Sequence, residues 1–225
     1  MDEEWASYAK AFSTGAVYRT IQGAIMLYNM GDAPRAQNIL EIGAGTGLSA
    51  NIFVGNLMKP GAIYYVTDIA SVQIEATRKA IAKSDWIHNP ANRHIEVSEE
   101  IPKPHELRED GKTSGKTVVT ALADGERLPF DDNTFDCLIS NLVLQGVPDH
   151  SPHVKEALRV LKPGGKLACS IIGRYDQTTL GSILETIYRE RGVDYTICSA
   201  ERSDKDQMRQ EFLDAGFKPV KAWHT

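Results

Sequence analysis

Residues 38–53 read NILEIGAGTGLSANIF, placing Gly43, Gly45 and Gly47 within five positions, between a short apolar run and a helix-like one. Glycine accepts positive φ and lets other atoms come close to the backbone, but it loses more freedom on folding than any other residue. A cluster of glycines where a strand hands over to a helix therefore marks a place where a ligand lies against the chain.

The neighbouring residues narrow the ligand. A phosphate-binding P-loop is excluded, because no Lys-Ser or Lys-Thr follows the turn. The dinucleotide pattern GxGxxG would need its third glycine where Leu48 stands; the spacing here is GxGxG, and the acid Glu41 precedes it. A pyrophosphate is held by the free N–H groups and positive end of a helix. Glu41 opposes such an anion and suits a ligand carrying an ammonium group. S-adenosylmethionine has that group together with a sulfonium, a ribose and an adenine, and it has no phosphate.

Working outward, the chain alternates strand and helix. Residues 37–42 read as a first buried strand and 46–58 as a helix, ended by Lys59-Pro60-Gly61. Residues 62–68 form a second strand and 70–83 a second helix. The stretch 84–116, punctuated by Pro90, Pro102, Pro104, Gly111 and Gly115, reads as an insertion or long loop. Residues 116–124, 135–141 and 165–172 supply three more strands. A helix over 151–161 lies between the last two, closed by Lys162-Pro163-Gly164-Gly165. Repeated strand-helix units with apolar strands predict an α/β fold: one domain, doubly wound, with a mostly parallel Rossmann-like sheet covered by helices on both faces. An N-terminal helical lid is expected over 1–36 and the main domain over 37–225. The aromatics Trp5, Tyr8, Phe12, Tyr18 and Tyr28 of the leader either pack on the sheet or cover the ligand.

A net charge of −5 opposes broad capture of a phosphate backbone, so nucleic acid is not an expected partner. The acidic start MDEEWASYAK is unlike a signal peptide, and no run approaches about 18 apolar residues. A cytoplasmic protein that does not engage the membrane is expected, and no partner protein is indicated. Cys137, Cys169 and Cys198 are widely spaced, with no CxxC pair, and His88, His94 and His105 lack ligand spacing. No metal site is expected.

Four motifs in order, from Gln37 to Ile172, resemble the class I S-adenosylmethionine-dependent methyltransferases, in particular the small-molecule group with a first motif of the LEIGAGTG type. They are the glycine loop, Asp68 at the end of the second strand, LADGERLPFDDNTFD over 122–136, and FDCLISNLVLQGV followed by EALRVLKPGGKLACS. The resemblance implies S-adenosylmethionine as cofactor, held by Glu41, Gly43, Ala44, Gly45 and Gly47, with Asp68 on the ribose hydroxyls and Ile69 beside the adenine. It implies Asp124 at the adenine amine, with Gly125 and Glu126 beside it as cofactor-binding residues, Asn141 and Leu142 at the methyl group, and Tyr8 as a cofactor or substrate contact from the leader.

The loop after the fourth strand lacks the [DN]PP[YF] signature of nucleobase amino methylation, since Leu142 follows Asn141. The expected acceptor is a small molecule or a carrier-bound group. His150 and His153 are the nearest candidate bases, but Asp149-His150-Ser151-Pro152-His153 reads better as a solvent-exposed turn and helix start, with Ser151 as N-cap. No catalytic residue is assigned. Two other functions compete: a methyltransferase-like scaffold that binds the cofactor without turnover, and an NAD-dependent oxidoreductase, which the glycine spacing and Glu41 oppose. Family members carry a seventh, antiparallel strand. Here 216–225 reads as the sixth strand with nothing after it, so the seventh is expected to be missing; a shortened chain or a sixth strand pairing directly with the fifth is favoured over another chain supplying the edge.

Overall fold

The computed structural model describes residues 17–85, 93–96, 101–109, 115–147, 149–172, 186–187, 190–192 and 204–223. Six strands, β1 (Asn38–Ile42), β2 (Ile63–Asp68), β3 (Arg93–Glu96), β4 (Thr117–Leu122), β5 (Phe135–Asn141) and β6 (Leu161–Ser170), form one sheet in the order β3-β4-β2-β1-β5-β6. Every pairing is parallel. All residues of β1 and β2 are buried, as strands covered on both faces require.

Alternation along the strands builds two cores. Ile39, Tyr64, Val118 and Ile139 face α1 (Val17–Met30), α2 (Leu48–Asn56) and α3 (Ser71–Ala82), where Leu27, Tyr28, Phe53 and Ile81 meet them. Leu40, Tyr65, Val119 and Leu138 face α4 (Pro104–Glu109) and α5 (Ser151–Val160), where Leu107, Ala157 and Val160 pack. α6 (Lys205–Ala215) leans on α5 through Met208 and Phe212. The chain order reverses at β1, whose neighbours are β2 and β5. Loops leave those strands in opposite directions there, opening a crevice at their carboxyl ends.

The structure corrects the expected elements in three places. The stretch 84–116 is not merely a loop, because it contributes β3 at the sheet edge and α4 on one face; Arg-His-Ile-Glu is too short and polar to stand out as a strand. β6 begins at Leu161, opposite Phe135, and its register shifts before Lys166 meets Cys137. Lys162-Pro163-Gly164-Gly165 is thus an irregularity within the strand rather than the turn before it. Finally, 216–223 forms no strand. Phe217 and Val220 pack against the α5–α6 cluster instead, and Pro219 has no N–H to give a ladder. Most of 173–203, between the fifth expected strand and the sixth, lies outside the described residues, as do Trp5, Tyr8 and Phe12.

Candidate active site

The glycine loop leaves β1 at the crevice. Gly43, Gly45 and Gly47 all have positive φ, at 69°, 59° and 73°. Each meets different surroundings. A Cβ on Gly43 would lie 2.4 Å from Val143 Cγ2, and one on Gly47 would lie 2.7 Å from Thr77 Oγ1 and 2.8 Å from Thr77 Cα. At Gly45 the same atom would meet nothing within 4 Å. Gly43 and Gly47 admit the rest of the protein; Gly45 opens onto free space.

Hydrogen bonds fasten this loop to β2 and α3. Ala44 N donates to Thr67 O at 3.0 Å, Gly45 N to Asp68 Oδ2 at 2.9 Å, and Thr77 Oγ1 to Gly45 O at 3.0 Å. Thr67 Oγ1 also donates to Glu41 O at 2.7 Å. The other oxygen of Asp68 accepts from Ala70 N at 3.0 Å. Burial raises the Asp68 carboxyl above its usual range, partly offset by these backbone donors. Thr67 and Thr77 carry no sequence signal; their role emerges only from the packing.

Glu41 sits below the loop, 1% exposed. Its Oε2 accepts from the Tyr28 hydroxyl at 2.9 Å and its Oε1 from Ser49 Oγ at 3.2 Å. Tyr28 also lies 3.1 Å from the Tyr64 hydroxyl and stacks on Phe53, with centroids 4.4 Å apart. Tyr28 is therefore a core aromatic of the leader. Burial pushes the Glu41 carboxyl up to about 7, against the lowering effect of its two donors.

At the neighbouring strand ends, Ala123 N donates to Asp68 O at 2.9 Å, which sets Asp124 beside the end of β2. Asp124 is exposed and closes its own turn, accepting from Glu126 N at 2.9 Å. Glu126 is also exposed, whereas Gly125 is buried. Ile69 is 40% exposed, and Leu122, paired with Asp68 in the sheet, is 57% exposed. Two apolar side chains thus stand bare next to two acids. Leu122 escaped the sequence reading because it continues an apolar strand.

β5 ends in a constrained turn. Asn141 Oδ1 accepts from Ser170 Oγ at 2.7 Å and its amide donates to Thr20 O at 3.3 Å. Leu142 adopts φ 58°, unusual for a residue with a branched side chain, and its N–H donates to Ser170 O at 3.0 Å. The glycine space at position 43 is filled by the next residue, Val143.

Neither candidate histidine lies on an exposed turn. His150 is 7% exposed, with its ring nitrogens 3.0 Å from Leu144 O and 3.1 Å from Glu211 Oε2. Asp149, rather than Ser151, accepts the first free N–H of α5, from Ser151 itself. His153 lies behind Gly125. An apolar cavity of about 20 Å³, room for one water, lies between the sheet and the helices α5 and α6, lined by Ile42, Leu144, His153 and Phe212 among others. It is too small for a cofactor. Among the described residues no cluster of three His, Cys, Asp or Glu side chains could hold a metal, and no helix is long and apolar enough to cross a membrane.

A family model described as a methyltransferase domain matches residues 40–169, more than half of the chain. The chain belongs to the methyltransferase domain family. This methyltransferase is 27% identical over 176 residues to the ubiquinone/menaquinone biosynthesis C-methyltransferase UbiE of Rickettsia massiliae, a match covering 72% of this chain and 71% of the relative. It is 32% identical over 111 residues to the demethylmenaquinone methyltransferase of a Geobacillus species, covering 41% and 46%. In fold, the methyltransferase resembles a SAM-dependent methyltransferase from Thermotoga maritima, with a TM-score of 0.57, 20% identity, and 98% and 89% of the two chains covered. Family and fold together are those of a class I S-adenosylmethionine-dependent methyltransferase.

Proposed function

We infer that the crevice at the ends of β1, β2, β4 and β5 binds S-adenosylmethionine and presents its methyl group to a small-molecule or carrier-bound acceptor. The observation that carries this is Gly45. It has positive φ, is tied to Asp68 through its N–H, and faces open space where a side chain would otherwise stand. The residues around it fit the cofactor. Gly43, Ala44, Gly45 and Gly47 shape the floor, and Asp68 has lone pairs left for ribose hydroxyls. Ile69 and Leu122 offer apolar surface to the adenine, and Asp124, Gly125 and Glu126 line its amino edge. Glu41, buried beneath the loop with Tyr28 and Ser49 donating to it, is the acid proposed for the ammonium group in its ionised form. Asn141 and Leu142 face the methyl group, and Tyr8 is the contact proposed from the leader.

When bound, the cofactor supplies a methyl on a sulfonium, whose departure as a neutral thioether needs no proton. The task left to the chain is to hold an acceptor in line and keep water out, worth up to roughly 7–11 kcal/mol of the barrier in favourable cases. The rigid turn at Leu142, fastened to Ser170, suits that task. The names of the two relatives make a quinone precursor the first acceptor class to test.

Calorimetric titration with S-adenosylhomocysteine and, separately, NAD is the direct test. S-adenosylhomocysteine is expected to bind and NAD is not. Gly45→Ala places a methyl group in the open cradle and is expected to weaken S-adenosylhomocysteine at least about tenfold, while its added backbone strain of roughly 1–2 kcal/mol leaves the protein folded. Wild-type affinity in that variant would sink the assignment. Incubation with labelled S-adenosylmethionine and quinone precursors then separates an enzyme from a binding scaffold.

A further inference from the structure

α5 presents one stripe of side chains to the loop that follows β4. His153, Glu156 and Arg159 are spaced three residues apart and so share a face of the helix. Glu156 Oε2 accepts from Leu128 N at 2.8 Å. Arg159 donates to Leu128 O at 3.0 Å and to Phe130 O at 2.7 Å. The same stripe reaches Gly125 through His153, whose ring atoms Cδ2 and Nε2 would both lie 2.6 Å from a Cβ at that position.

Gly125 is not among the positive-φ glycines, so backbone conformation does not call for glycine there. Space does. The imidazole on one side and Ile42 Cγ2, 3.1 Å from the same point, leave no room for a side chain. On either side the loop is anchored by Ala123 N to Asp68 O and by Leu128 N to Glu156. Between those anchors Asp124 closes a local turn through Glu126 N and Arg127 N, and the buried Gly125 is the point at which that turn rests on the helix.

We propose that His153 is a positioning residue that sets the height of the 124–126 turn, and with it the reach of Asp124 to the adenine amino group. This rests on the cofactor reading given above. The ring acts by shape. Burial holds His153 below its usual range, against the raising effect of Glu126 and Asp124, which favours the neutral ring. Its Nδ1 lies 3.8 Å from Glu126 Oε1, outside hydrogen-bond distance. The side chain is 11% exposed, behind the turn rather than in the crevice, so it does not serve as a base toward the acceptor.

The test compares S-adenosylhomocysteine with S-inosylhomocysteine, in which an oxygen replaces the adenine amino group, by calorimetric titration. Wild type is expected to prefer the adenine ligand. Gly125→Ala overpacks the contact and is expected to weaken S-adenosylhomocysteine about tenfold and to reduce that preference. His153→Ala in the same chain removes the clash, so the double variant should bind more tightly than Gly125→Ala alone. His153→Ala by itself loosens the turn and lowers the preference several-fold. His153→Phe keeps a ring in place and retains it within about twofold; this pair decides the matter even where Gly125→Ala fails to fold. A general loss of stability would weaken both ligands alike and leave the preference unchanged. An unchanged preference in His153→Ala, or a double variant no better than a folded Gly125→Ala, overturns the proposal. Wild type that binds neither ligand overturns the cofactor reading and this proposal with it.

Discussion

Gly45 N donates to Asp68 Oδ2 at 2.9 Å, so the turn after β1 is hung from the last residue of β2. The acid proposed for the ribose is thus also the clasp of the glycine loop. Asp68→Ala removes acceptors from Gly45 N and Ala70 N and should cost about 1–3 kcal/mol of stability per donor left unpaired, besides abolishing S-adenosylhomocysteine binding. From the sequence alone, the same change would be expected to spare the fold. Urea unfolding beside calorimetric titration separates the two losses, and Asp68→Asn should recover part of the stability without the affinity.

Glu41 should make stability fall as pH rises. Its folded value of about 7 stands above the ordinary 4.5, so between those values the folded protein keeps a proton that the unfolded chain releases. Stability from this residue is full below about pH 4.5 and is lost as pH rises through 7, by on the order of 3 kcal/mol. Glu41→Gln removes that slope. Unfolding free energies of both proteins from pH 5.5 to 8.5 check it, because other titrating groups cancel in the difference.

Tyr28→Phe should move the same transition to higher pH. The Tyr28 hydroxyl donates to Glu41 and lowers its pKa, whereas the ring stacks on Phe53 and survives the change. A transition that stays in place would show that the hydroxyl does not support the carboxylate.

The glycines of the loop should differ in kind. Gly47→Ala drives a Cβ to 2.8 Å from the Thr77 Cα and strains φ as well, so it should destabilise by several kcal/mol, more than the roughly 1–2 kcal/mol of strain alone at Gly45. Thermal unfolding ranks the two variants. Equal midpoints would mean that Thr77 yields.

Arg159→Met should free the segment 128–132 without unfolding the sheet. Arg159 holds Leu128 O, Phe130 O and the Asp132 carboxylate, and its partner Glu156 holds Leu128 N. Amide hydrogen exchange should rise at Leu128 and its neighbours and stay unchanged in β1 and β2.

The order of β1, β2, β4, β5 and β6 with the helices α2, α3 and α5 between them, the glycine turn, and the acids at the ends of β2 and β4 were legible in local pattern, whereas α4, α6 and the absence of a strand over 216–223 were not. Apolar runs, glycine spacing and the position of an acid just after a strand are properties of neighbouring residues. β3 was not, because four residues of which only Ile95 is apolar make a strand only when β4 offers them an edge. Several contacts that define the site join residues far apart in the chain: Glu41 with Tyr28, Gly47 with Thr77, Gly125 with His153. Three glycines looked alike in the sequence, yet one faces Val143, one Thr77 and one open space. His150 and His153, near a turn in the sequence, were carried into the interior by the packing of α5 and α6. Periodicity says which face of an element is apolar, but what that face meets is decided only when helices from distant parts of the chain settle on a common sheet.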